Sequence, residues 1–170
     1  LIHAAAAGSC LEEAHYWFGR MCSAGIAADT VTYNTLLLAH ANAADSEGAE
    51  RLLAQLEALS SQPEPALAPH VAAVAQPDLI SYNTTITACA RAGLEARAEA
   101  VLPRMEARGG LPHEQSFSGL IHASARAGGA GAGARARRAF DQLVERGLRV
   151  DAVAYNSLLA AYAAENDCLG

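Results

Sequence analysis

An aromatic residue followed by a small polar one recurs along the chain, as Tyr33-Asn34 in TVTYNTLL, Tyr82-Asn83 in LISYNTTI, Phe117-Ser118 in QSFSGLI and Tyr155-Asn156 in AVAYNSLL. The aromatics are 49, 35 and 38 residues apart. A second marker, Asp29, Asp78, His113 and Asp151, keeps the same three intervals. Two markers in phase define an internal repeat, which decides the architecture before any single element is assigned.

The unit is 35 residues, carrying one insertion of fourteen and one of three. The long insertion falls in SSQPEPALAPHVAAVAQP, residues 60–77, where repeated prolines forbid continuous helix and predict a surface loop. The short one falls in AGGAGAGA, Ala127 to Ala134, expected as a flexible turn. Each unit reads as two helices closed by glycine stops. In the first, Glu12 and Glu13 open the second helix and Arg20 lies near its end, an order that complements the helix dipole. Arg135, Arg137 and Arg138 break that order, and Pro103 predicts a kink on an outward face. The divisions are a partial repeat at 1–29, repeats at 30–78, 79–113 and 114–151, and a partial repeat at 152–170.

Hairpins of this length cannot bury their apolar faces alone and must stack on one another. The expected fold is all-α, an α-solenoid in the form of a right-handed superhelix of helix-turn-helix repeats. Composition agrees: 52% of the residues are hydrophobic, much of that alanine, and 5% are aromatic, which favours closely packed helices over a sheet. The start at LIHAAAAGSC and the stop inside a repeat predict a segment of a longer array.

The formal charge is −6 and every basic residue is arginine, which excludes a basic nucleic-acid arm but leaves side chains able to fork to phosphate. Cys10, Cys22, Cys89 and Cys168 lack zinc or redox spacing and read as small buried residues. His3 and His122 occupy one repeat position, in LIHA, while His40 and His70 have no ligand spacing; no metal, cofactor or catalytic centre is expected. No apolar run is long enough to span a membrane.

Taken together, VTYNTLL with AERLLAQLEAL and QPD, ISYNTTI with AEAVLPRMEARG and LPH, QSFSGLI with ARRAFDQLVERG and RVD, and VAYNSLL resemble the pentatricopeptide repeat family. The tetratricopeptide repeat is the nearest competitor, but it places a Trp and a Leu-Gly pair in the first helix, whereas Trp17 lies in a second helix. The resemblance implies single-stranded RNA as partner, with one base read per repeat. It implies base-reading pairs Asn34 with Asp78 for uridine, Asn83 with His113 for an undecided pyrimidine, and Ser118 with Asp151 for guanosine; Asn156 lacks its closing partner. Val31, Ile80 and Val153 would sandwich bases, while Gln115 departs from that pattern. Arg91 and Arg126 would approach phosphate, but Asn42 and Ala164 replace them in other units, so the backbone electrostatics are thin and binding by three units modest.

The residues alone also admit plainer roles. Each Asn near a helix start can bond the local backbone, each closing Asp can cap the next helix, and the aromatics are packing anchors. The resemblance implies a non-enzymatic protein acting in RNA processing, stability or translation in a mitochondrion or chloroplast, with no small-molecule substrate. Two alternatives stand beside it: a protein-binding scaffold, and the RNA-binding arm of a protein-only ribonuclease P whose nuclease lies outside this segment.

Overall fold

The computed structural model describes residues 10–61 and 75–166. Most of the proposed 60–77 insertion, together with His3, His70 and Cys168, lies outside them. Among the described residues there are eight helices and no strand: α1 Leu11–Ser23, α2 Thr30–Asn42, α3 Ser46–Ser60, α4 Leu79–Arg91, α5 Glu95–Ala107, α6 Glu114–Ala127, α7 Ala132–Glu145 and α8 Ala152–Asn166. None is long and apolar enough to cross a membrane. The contacts divide the chain into two compact units whose boundary falls inside α4, between Ala88 and Cys89.

Aspartates set where these helices begin. The carboxylates of Asp29, Asp45, Asp78 and Asp151 accept from the backbone N–H groups of Thr32, Gly48, Ser81 and Ala154 at 2.8, 2.9, 2.9 and 2.8 Å. Each satisfies an orphan donor of the first turn, a contribution of about 1 kcal/mol. At α6 His113 takes that place, and its backbone N–H is held by Ser116 Oγ at 3.3 Å. The turn after α4 uses Gly93 at φ 71°, and Ala44 occupies the matching turn after α2 at φ 53°. Ala44 carries its Cβ through the left-handed region, and the same pair of backbone bonds closes both turns, Asp45 N–H to His40 and Leu94 N–H to Cys89, each at 2.9 Å.

In the first unit α1 packs on α2 and α2 on α3. Leu36, Leu37, Leu53 and Leu56 are fully buried, and Tyr33 meets Phe18 edge to face at 5.7 Å. Tyr82 is buried while its hydroxyl donates to Glu57 at 3.1 Å. In the second unit α6 is central, contacting α5, α7 and α8, with Phe117 and Ile121 fully buried. Alanines at 14, 39, 49, 98, 123 and 136 have no exposed surface, and their short side chains let the helix axes approach.

Three expectations are corrected. Tyr155 is 54% exposed and not enclosed as Tyr33, Tyr82 and Phe117 are, although its ring packs 5.1 Å from that of Phe140. Cys10 and Cys22 are exposed, since both lie on faces of α1 or its N-cap turned from the core, and among the described cysteines only Cys89 is buried. The Gly/Ala turn spans only residues 128–131, because α7 begins at Ala132 and takes Gly133 into its first turn. Glu165 accepts from the N–H groups of Gly131 and Gly133 at 2.9 and 3.1 Å, so the turn is pinned. Pro103 does lie inside α5 with its ring exposed.

Candidate functional site

Asn34 enters the second turn of α2, and Asp78 caps α4, both within the first unit. The Asn34 amide nitrogen donates to the two Asp78 carboxylate oxygens at 3.1 and 3.3 Å. A carboxylate only accepts, so Asp78 decides which way the amide faces. Val31 and Ile80 stand on either side with 69% and 61% of their surface exposed, which is unusual for β-branched apolar residues. With Thr35, Leu38 and Thr84 they line an open recess of about 340 Å³. Val31, Asn34 and Asp78, which the resemblance assigns to one unit, therefore line one concavity together with Ile80, the sandwiching residue of the next unit.

The other assigned residues are arranged differently. Asn83 is only 5% exposed, so its amide is not displayed on the surface as Asn34 is. Ser118 is half-buried on α6 while Asp151 is exposed, and no hydrogen bond joins them. His113 is half-buried, its Nδ1 3.4 Å from Ser116 Oγ. On α8 Val153 and Asn156 are exposed, as is Gln115 on α6. Arg91 and Arg126 are exposed in the second unit, and both act on His122, whose proton affinity is lowered first by burial and then by Arg126 and Arg91. The three bases thus share one corner of that unit.

One cluster in the first unit was not foreseen. His40, buried on α2, places Nδ1 2.9 Å from Asp45 and Nε2 3.0 Å from His15 Nε2 on α1. With both rings neutral, Asp45 requires the proton on His40 Nδ1, which makes His40 Nε2 the acceptor and His15 the donor. His15 is shifted below the ordinary 6.5, chiefly by burial and next by His40, with Asp45 opposing. The unfolded chain binds this proton more readily, so stability is fully present above pH 6.5 and declines as pH falls through 6.5 toward the lowered folded value. Thermal melts from pH 7.5 to 5.5 are expected to fall more steeply for the wild type than for His15→Gln; parallel curves would remove His15 as a source of the slope. Among the described residues no group of three or more His, Cys, Asp or Glu side chains is arranged to hold a metal.

A pentatricopeptide repeat domain model matches residues 72–128, and a PPR repeat model matches residues 31–59. The chain belongs to the pentatricopeptide repeat family. Its fold is that family's all-α solenoid. Among solved structures, it is similar to the pentatricopeptide repeat protein PPR10 in complex with an 18-nt psaJ RNA element, with 26% identity and a TM-score of 0.73 over 89% of this chain and 20% of that one. PPR10 from maize matches at 25% identity and a TM-score of 0.74, over 95% of this chain and 21% of that one. The chain spans about a fifth of the length of these structures. Comparison with curated proteins found no match.

Within this pentatricopeptide repeat chain, the Asp-x-x-Ser/Thr pattern was a legible signal that went unused. Asp29 with Thr32 and Asp78 with Ser81 repeat it, and the Ser81 hydroxyl proves to sit 2.6 Å from Asn34 Oδ1. Glu95, buried between Ser124 and Arg135, had no comparable signal, since its partners are 29 and 40 residues away.

Proposed function

We propose that this pentatricopeptide repeat segment binds single-stranded RNA and reads a uridine in the recess formed by Val31, Asn34, Asp78 and Ile80. The observation that carries the reading is the recess itself: two exposed apolar side chains flank an amide oriented by a carboxylate. Flat apolar walls suit a stacked base, worth about 1 to 3 kcal/mol, and an amide edge suits a pyrimidine's paired donor and acceptor. The relation to PPR10, whose structure holds an RNA, supports the same partner. Arg91 and Arg126 are the candidate phosphate contacts, and Ser118 with Asp151 the candidate guanosine site, although these two are not joined as Asn34 and Asp78 are. The segment acts as a binder without catalysis, in RNA processing, stability or translation in a mitochondrion or chloroplast.

Binding of fluorescent RNA oligonucleotides by the full chain at low salt tests this reading. Sequences containing uridine-pyrimidine-guanosine are expected to bind more tightly than scrambled controls, and Asn34→Ala to remove about tenfold of that preference. Arg91→Ala with Arg126→Ala should weaken all sequences alike. Equal binding of every sequence, unchanged in Asn34→Ala, would favour a protein-binding scaffold instead.

A further inference from the structure

We propose that Ser81 is a positioning residue for base recognition, holding the Asn34 amide oxygen beside the nitrogen that Asp78 holds. This rests on the base-reading role proposed above. Ser81 has no exposed surface, so its hydroxyl is a fixed internal group rather than a contact for RNA. Its oxygen accepts the Asp78 backbone N–H at 3.1 Å, and its own backbone N–H donates to Asp78 Oδ1 at 2.9 Å. The one remaining hydroxyl proton has two oxygens within reach, Asn34 Oδ1 at 2.6 Å and Asp78 Oδ1 at 3.0 Å. An amide oxygen cannot donate, so the shorter contact requires that proton to point at Asn34.

The Asn34 amide is therefore clamped at both ends, its nitrogen by Asp78 and its oxygen by Ser81. Asp78 and Ser81 hold the same edge of the amide, their oxygens 3.0 Å apart, so turning it over would set its oxygen against the carboxylate. One N–H is left pointing away from that edge, at a fixed end of the amide, where it can meet an acceptor of the base but not a donor. Uracil presents an acceptor at O4 next to a donor at N3, and cytosine presents the reverse, a donor at N4 next to an acceptor at N3. An amide free to turn can serve either base. An amide held at both ends serves one. Asp78 alone fixes the nitrogen's direction, whereas Ser81 fixes the plane, and a hydrogen-bonding edge discriminates only when its plane is held.

The test measures the affinity ratio of the full chain for two RNA oligonucleotides that differ only by uridine or cytidine at the first legible position. Wild type should prefer uridine, and Ser81→Ala should lower the ratio about fivefold, the value of one lost hydrogen bond. Ser81→Cys, nearly isosteric and a weak donor, should lower it in the same direction while keeping the fold, as checked by its melting curve. In an Asn34→Ala background Ser81→Ala should leave the ratio unchanged, because Ser81 acts through that amide. A ratio unaffected by both Ser81 substitutions, or affected equally without Asn34, overturns the positioning role and leaves RNA recognition standing. A wild type indifferent to uridine and cytidine overturns both.

Discussion

Glu95→Ala will lower stability by about 3 kcal/mol, the cost of leaving a mostly buried charge without its partner. The Glu95 side chain is 10% exposed, accepting from Ser124 Oγ at 2.7 Å and paired with Arg135 Nε. Arg135 in turn donates to the Gly128 and Ala130 carbonyls at 2.9 and 3.0 Å. One carboxylate thus ties α5 to α6 and, through the guanidinium, to the glycine turn that starts α7. Calorimetry should show a midpoint lowered by about 9 °C, at roughly 3 °C per kcal/mol for a chain of this size. Glu95→Gln, which keeps an acceptor, should lose less. The combined Glu95→Leu and Arg135→Met change should recover much of the loss, since an apolar pair leaves no charge stranded. A Glu95→Ala midpoint within 1 °C of wild type would show that the cluster carries no net stability.

Gly48→Ala will destabilise the protein by about 2 kcal/mol, against the usual gain of up to about 1 kcal/mol for replacing a helical glycine by alanine. Gly48 lies in the first turn of α3, and a Cβ there collides with the Asp45 carboxylate and the His40 ring. Neither can withdraw freely. Asp45 is held by the Gly48 N–H at 2.9 Å, which is also the main reason its carboxyl is held below the usual range, and His40 is buried against it. Urea unfolding of Gly48→Ala should show a lower midpoint with unchanged slope. A stabilised variant would mean that the histidine pair yields without cost.

The family and fold class were legible because a repeat writes the same constraint several times. Tyr33, Tyr82 and Phe117 share a packing duty, and their matched spacing with Asp29, Asp78 and His113 survives the long insertion, as that of Tyr155 with Asp151 survives the short one. The capping aspartates were legible for the same reason. The site was only partly legible. Asn34 and Asp78 follow from the repeat, but Asn83, identical to Asn34 in type and repeat position, is buried. Likewise Ser118 and Asp151 hold the places of a pair without forming a bond. A repeat position specifies a residue's height along its helix, whereas its exposure depends on what neighbouring segments place over it.

By itself the sequence determined the helical hairpin, its period, its caps and the candidate base-reading positions, because these depend on local spacing and backbone chemistry. Only the tertiary structure decided which positions are displayed, that Ser81 holds the Asn34 amide oxygen, and that Glu95 and Arg135 pin the glycine turn. Those contacts join residues 40 or more apart or select one proton among several acceptors. Such choices are made by packing, and no local pattern records them.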